Sequence, residues 1–121
     1  MSTLAAFAAD EGITAAEVSG IGAFQTATVG FYHPDRKDYD RIPITSHTEV
    51  LSLLGNLSLK DDAPWVHLHA TLGGVDTAAI GGHLFDAIVG PTLELFVREE
   101  PGELRRLQDD EIGLALLDLE G

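Results

Sequence analysis

Along most of the chain, apolar and polar positions alternate rather than recur at helical spacing. The first dozen residues are the exception. Leu4, Phe7 and Ala8 fall at i, i+3 and i+4, which predicts a helix over Thr3–Glu11 with Ser2 or Thr3 as its cap and Gly12 as its stop. Ile13–Ser19 then reads as a strand, "GIG" (Gly20–Gly22) as a tight turn or bulge, and Ala23–His33 as a longer strand carrying Phe24, Val29, Phe31 and Tyr32. After the punctuation of "HPDRKDYD", Arg41–Ser46 and Glu49–Leu59 continue as strands, with Gly55 as a bend. "KDDAP" makes a turn, Trp65–Leu72 is a strand, and the glycine-punctuated "GGVDTAAIGG" returns the chain near where it left. His83–Val89 reads as a strand or short helical turn and Thr92–Arg98 as a strand, on either side of Gly90-Pro91. "EEPGELRRLQDDEIG" reads as a polar tail segment, after which Leu114, Leu116, Leu117 and Leu119 need something to pack against. These elements sum to one α+β domain over residues 1–121, a mostly antiparallel β-sheet packed with one or two helices.

Composition narrows the chemistry. With 45% hydrophobic content over 121 residues the chain can bury one real core. It has no cysteine, so no disulfide and no thiolate metal site can form, and a transition metal would fall to His, Asp or Glu. No apolar run reaches the eighteen residues of a membrane span, and "MSTLAAFAADEG" lacks the basic start of a secretory signal, so the expected location is the cytoplasm. Twenty acidic residues against seven basic ones give a net charge of −13. Such a surface is repelled by nucleic-acid phosphates, which disfavours nucleic acid as a partner of the isolated chain. The basic clusters, Arg36, Lys37 and Arg41 in "DRKDYDR" and Arg105 and Arg106 in "ELRRL", sit among acids and read as solvated surface.

The five histidines are distributed unevenly. On a strand, His67 and His69 in "WVHLHATLGG" point the same way, about 6.6–6.8 Å apart along the backbone, with Val66, Leu68 and Ala70 on the other face. His83 in "GGHLF" needs only a hairpin-like return to come alongside, and Gly81-Gly82 ahead of it permits a close backbone approach. Three convergent imidazoles suit Zn²⁺ or a similar borderline metal, with a fourth position open to water or substrate. A pair of strand histidines equally well serves only to hydrogen-bond backbone carbonyls on a wet face. His33, in a turn, and His47, in "TSHTE", read as surface groups; Glu49 is a candidate carboxylate ligand or orienting residue, although an ordinary solvent-facing role fits it better.

"VSGIGA" (Val18–Ala23), "EVLSLLGNLSL" (Glu49–Leu59), "HLHATLG" (His67–Gly73), "GGHLFDAIVGPTLELFV" (Gly81–Val97) and "GLALLDL" (Gly113–Leu119) together resemble the PPC domain family, also called DUF296. The resemblance spans nearly the whole chain, with the motifs in order. It implies an antiparallel sheet with a helix, assembled as a homotrimer. In the prokaryotic branch, the histidines matching His67, His69 and His83 form a metal-binding trio usually read as zinc, while the plant branch joins this domain to AT-hooks and is described as DNA-binding. No "RGRP"-type AT-hook occurs in this sequence. Family members also usually open with a strand before the first helix, whereas this sequence begins almost at the helix; the expectation is either a start recorded late or an absent edge strand whose exposed backbone groups are covered in another way, such as by a neighbouring subunit. Three functions follow as expectations: a metal- or small-ligand-binding trimer, a metal-dependent hydrolase with Glu49 as its only candidate base, and a nucleic-acid-associated regulator.

Overall fold

A computed structural model describes residues 1–121. Helix α1 (Ser2–Glu11) has Met1 as its N-cap, so Ser2 and Thr3 lie inside the first turn and no side chain caps it. Gly12 ends the helix in the left-handed conformation, φ 67°. The N–H groups of Gly12 and Ile13 close onto the carbonyls of Ala9 and Ala8.

Two strands that the sequence divides are continuous. β1 (Ala16–His33) runs through "GIG", which is a bulge and not a turn: its register against β3 slips between Gly20 and Gly22. β5 (Ala79–Glu99) runs through Gly90-Pro91, so His83–Val89 is strand and contains no helical turn. Between them lie β2 (Asp38–Ile44), β3 (Thr48–Lys60) and β4 (Ala63–Gly73). The segment read as a polar tail is also structured. Arg106–Asp109 forms β6, which pairs antiparallel with β7 (Leu114–Leu117).

β1 holds the sheet together. One of its edges pairs with β5 from Ala16 to Gly30, while the other pairs first with β3 and then, from Ala27 onward, with β2. Since β3 pairs with β4 and β4 with β5, the strands β1, β3, β4 and β5 form a closed circuit, with β2 attached to the outer half of β1. Closure leaves few free edges, which is how an antiparallel sheet of this length avoids exposing a template for aggregation. β4 and β5 pair only over His69–Gly73 and Ala79–His83, and α1 packs beside the unpaired part of β4.

Inside the circuit Phe24, Leu53, Leu57, Leu72, Val18 and Val29 are almost wholly buried, joined by Leu68, Ala70, Leu84 and Ala8 of the helix. Removing each large side chain from water contributes about 1.5–3 kcal/mol. The buried positions change phase along β1, from Val18 and Phe24 to Ala27 and Val29, beyond the point where the register against β5 slips between Phe24 and Thr26. Gly55 is not a bend. β3 is regular there, and the β4 backbone passes so close that a Cβ would collide with the His67 carbonyl.

Candidate metal centre

Direct cross-strand partners share a face of a sheet. Following them around the circuit gives one row on the outer face: Phe96 (β5), Ser19 (β1), Leu54 (β3), His69 (β4), His83 (β5), Gly30 (β1) and Arg41 (β2). His67 stands two residues from His69 on the same face, opposite Asn56. The histidine pair, as the alternation predicts, lies opposite the buried face of Leu68, Ala70 and Leu72.

The three rings converge. Their centroids are 5.1 Å (His67–His69), 5.3 Å (His67–His83) and 5.5 Å (His69–His83) apart, and one nitrogen of each lies within 4.8 Å of the others. A tetrahedral ion bound at 2.0–2.1 Å would ask for nitrogens about 3.4 Å apart, inside the 4.8 Å within which these atoms already lie. No carboxylate belongs to the cluster. His83 Nδ1 is buried without a hydrogen-bond partner, an arrangement that costs about 1–3 kcal/mol unless something accepts or replaces the missing interaction. An ion held through that nitrogen would provide the partner, and three clustered imidazoles fit a His₃ metal site.

Aromatic rings wall the His83 side. Phe85 lies 4.7 Å from the His83 ring and Tyr39 5.1 Å from it, with Tyr39 packed edge-on against Phe85 at 5.0 Å. Gly30 is the floor beneath them, because a Cβ there would enter the Phe85 ring. The Arg41 guanidinium sits over Phe85, 3.8 Å from the ring centre.

The β6–β7 hairpin closes the other side through Arg106, a residue read from the sequence as solvated surface but only 7% exposed. Its Nε donates to Ser58 Oγ (2.9 Å), Nη1 to the Ala115 carbonyl (2.9 Å), and Nη2 to Asn56 Oδ1 (2.8 Å) and His67 Nδ1 (3.3 Å). The hairpin tip is held at its far end by Tyr32, whose hydroxyl donates to the Ile112 carbonyl. Arg105 is exposed, as expected, and pairs with Asp62 and Glu103.

Burial, reinforced by neighbouring charge, favours the neutral form of His83 and His67. Burial first, then His67, His69 and Arg41, push His83 down to about 4 from an ordinary 6.5, and burial, Arg106 and His69 lower His67 as well. The unfolded chain therefore takes up a proton at His83 between about pH 6.5 and 4 that the folded chain refuses. This contribution to stability is complete above 6.5 and is lost as pH falls toward 4. Thermal melts in EDTA should show Tm falling across that window, with a shallower fall in His83→Gln; equal slopes would contradict the assignment.

The remaining candidates lie elsewhere. His33 pairs with Asp40 at 2.7 Å, and His47 is exposed. Glu49 is exposed opposite Gly73, outside the trio. Arg106, Asn56 and Arg41 are the site-lining residues that sequence reasoning missed. The available signal was the hairpin pattern of "RLQDDEIGLALL", two short strands around an Asp-led turn ending in glycine.

Comparison with known proteins places this architecture. The family model described as the Plants and Prokaryotes Conserved (PCC) domain matches residues 1–101. No curated protein matches the chain. Among solved structures, the chain is similar to a candidate DNA-binding protein from Bacteroides thetaiotaomicron (32% identity, TM-score 0.94, covering 99% of this chain and 84% of that one). It is also similar to a plant- and prokaryote-conserved (PPC) protein from Pyrococcus horikoshii (35% identity, TM-score 0.91, 97% and 81% covered). A metal-containing protein from Archaeoglobus fulgidus is similar at 39% identity and TM-score 0.89, with 96% and 82% covered. The closed antiparallel circuit with its single helix and the match over residues 1–101 agree, and the chain belongs to the Plants and Prokaryotes Conserved domain family.

Proposed function

We propose that the protein binds one metal ion, zinc first among the candidates, through His67, His69 and His83, and that it acts as a binding or regulatory domain in the cytoplasm. The observation that carries this reading is the convergence of three imidazoles, one of which, His83, also has a buried Nδ1 without a hydrogen-bond partner. Neutral ring nitrogens offer lone pairs without adding charge, and a site without thiolates or carboxylates favours a borderline divalent ion. When bound, such an ion supplies a Lewis-acidic centre with an open coordination position. The likeness to a metal-containing archaeal protein supports the same reading. Isothermal titration of zinc into metal-free, untagged protein tests it: one equivalent per chain is expected, and no saturable heat would reject it.

Binding is favoured over hydrolysis because the trio has no carboxylate beside it to serve as a base. It is favoured over direct DNA contact because the net charge is −13 and three of the five arginines are already paired with carboxylates. No helix is long and apolar enough to cross a membrane.

The assembly we infer is a homotrimer, as the family resemblance implies. Its support in the fold is an apolar patch around Ser19, which takes in Leu54 and Phe96 of the histidine row and Ile21 and Leu51 beside it: all four are more than half exposed, Phe96 at 77%. Apolar surface clustered in this way marks a contact between chains more often than a solvated face. Phe96→Glu should convert the trimer to monomer in sedimentation velocity, and a trimer that persists would place the contact elsewhere.

A further inference from the structure

Basic side chains are scarce here, seven against twenty acids, and most of the arginines are neutralised. Arg36 pairs with Asp40, Arg98 with Glu17, and Arg105 with Asp62 and Glu103. Arg41 and Arg106 pair with no carboxylate, and these two flank the histidine trio from opposite sides. Arg106 is buried, and all its acceptors are neutral: Ser58, Ala115, Asn56 and His67. A buried guanidinium without an opposite charge is costly, and arginine cannot shed its proton to avoid that cost. Arg41 is exposed but held in place, its guanidinium stacked on Phe85 next to His83.

Metal binding changes what Arg106 can do. Arginine only donates, so His67 Nδ1 accepts its hydrogen bond. A neutral His67 that ligates through Nδ1 gives up that lone pair, and one that ligates through Nε2 carries its proton on Nδ1. In both cases the contact from Arg106 is lost. The bonds to Ser58, Ala115 and Asn56 remain and hold the guanidinium still, so one N–H of Nη2 is left unpaired facing the trio.

We propose that the metal-loaded site binds a small oxyanion, a carboxylate or a phosphate, whose oxygen takes the open coordination position and whose charge is met by Arg106 and Arg41. The inference rests on the metal-binding reading above. Arginine suits the task because its planar fork matches both oxyanions and its charge-assisted bonds are about twice as strong as neutral ones.

The test uses the full chain loaded with cobalt(II), whose visible d–d absorption reports its coordination. Acetate and inorganic phosphate are titrated separately at constant ionic strength. A saturable change in the band is expected with at least one of them, and the tighter binder identifies the class. Arg41→Gln and Arg106→Gln, each titrated with anion at saturating cobalt so that any change in metal affinity does not enter, should weaken anion binding about fivefold or more. Should Arg106→Gln fail to fold, the exposed Arg41→Gln decides alone. Cobalt binding with no saturable anion effect, or anion affinity unchanged in cobalt-saturated Arg41→Gln, overturns the inference. No cobalt spectrum in the wild-type chain would overturn the metal reading and this inference with it.

Discussion

His83→Ala should lower zinc affinity by more than about 100-fold, while His47→Ala leaves it unchanged. Loss of a mere supporting partner of a ligand typically costs about 10–100-fold, so loss of a ligand should exceed that range. His83 is the informative choice because it joins two strands. His67 and His69 come from β4 alone and stay neighbours whatever happens to β5, whereas His83 reaches them only through the cross-strand pair with His69. Its Nδ1 is also the one imidazole atom that is buried with nothing to bond. Competition against a chromophoric chelator gives the affinities. Equal values for wild type and His83→Ala would remove His83 from the site and leave two imidazoles, a weak and unselective pair.

Phe24→Ala should carry the largest cost to folding, about 3–5 kcal/mol, the range for a fully buried aromatic truncated to alanine. Phe24 is 1% exposed and lies in β1 where that strand is flanked by Thr48 of β3 and Val89 of β5. It therefore packs where three strands of the circuit meet, and neighbours held in two hydrogen-bonded ladders cannot collapse readily into the space. Against a domain stability of about 5–15 kcal/mol the loss is a large fraction. Urea unfolding should show a lower midpoint with an unchanged m value. Leu119→Ala, at a side chain 86% exposed, should stay within about 0.5 kcal/mol of wild type.

The same features explain what could be read in advance. His67 and His69 were legible because β4 keeps unbroken alternation from Pro64 to Leu72, so a period of two assigned their face correctly. His83 was legible because a glycine-rich return between antiparallel strands leaves it little choice but to come back beside His69. β1 was harder. Its irregular pairing interrupts the alternation at Gly20–Gly22 and shifts the buried positions from Val18 and Phe24 to Ala27 and Val29, which breaks the periodicity into pieces resembling two strands and a turn. In β5, Gly90-Pro91 imitates a break that the ladder with β1 bridges.

Arg106 was hidden for a different reason. A guanidinium between Arg105 and Leu107 looks like surface until the segment is recognised as one arm of a hairpin, and the turn that makes the hairpin depends on a side chain. Asp109 Oδ1 accepts from the N–H groups of Glu111 and Ile112, and Gly113 follows with φ 80°. Once β6 is a strand, Arg105 and Arg106 must face opposite ways, one to solvent and one toward Asn56 and His67. Gly55 was misread because the sequence shows only that a side chain is missing, not that the His67 carbonyl occupies its space.

Anomalous diffraction at the zinc edge, from crystals of untagged protein never exposed to nickel resin and equilibrated with zinc, bears most directly on the central claim. The account predicts one peak per chain, about 2.0–2.1 Å from a nitrogen of each of His67, His69 and His83. A chain with no peak among these rings, or with the ion held by other residues, would contradict it.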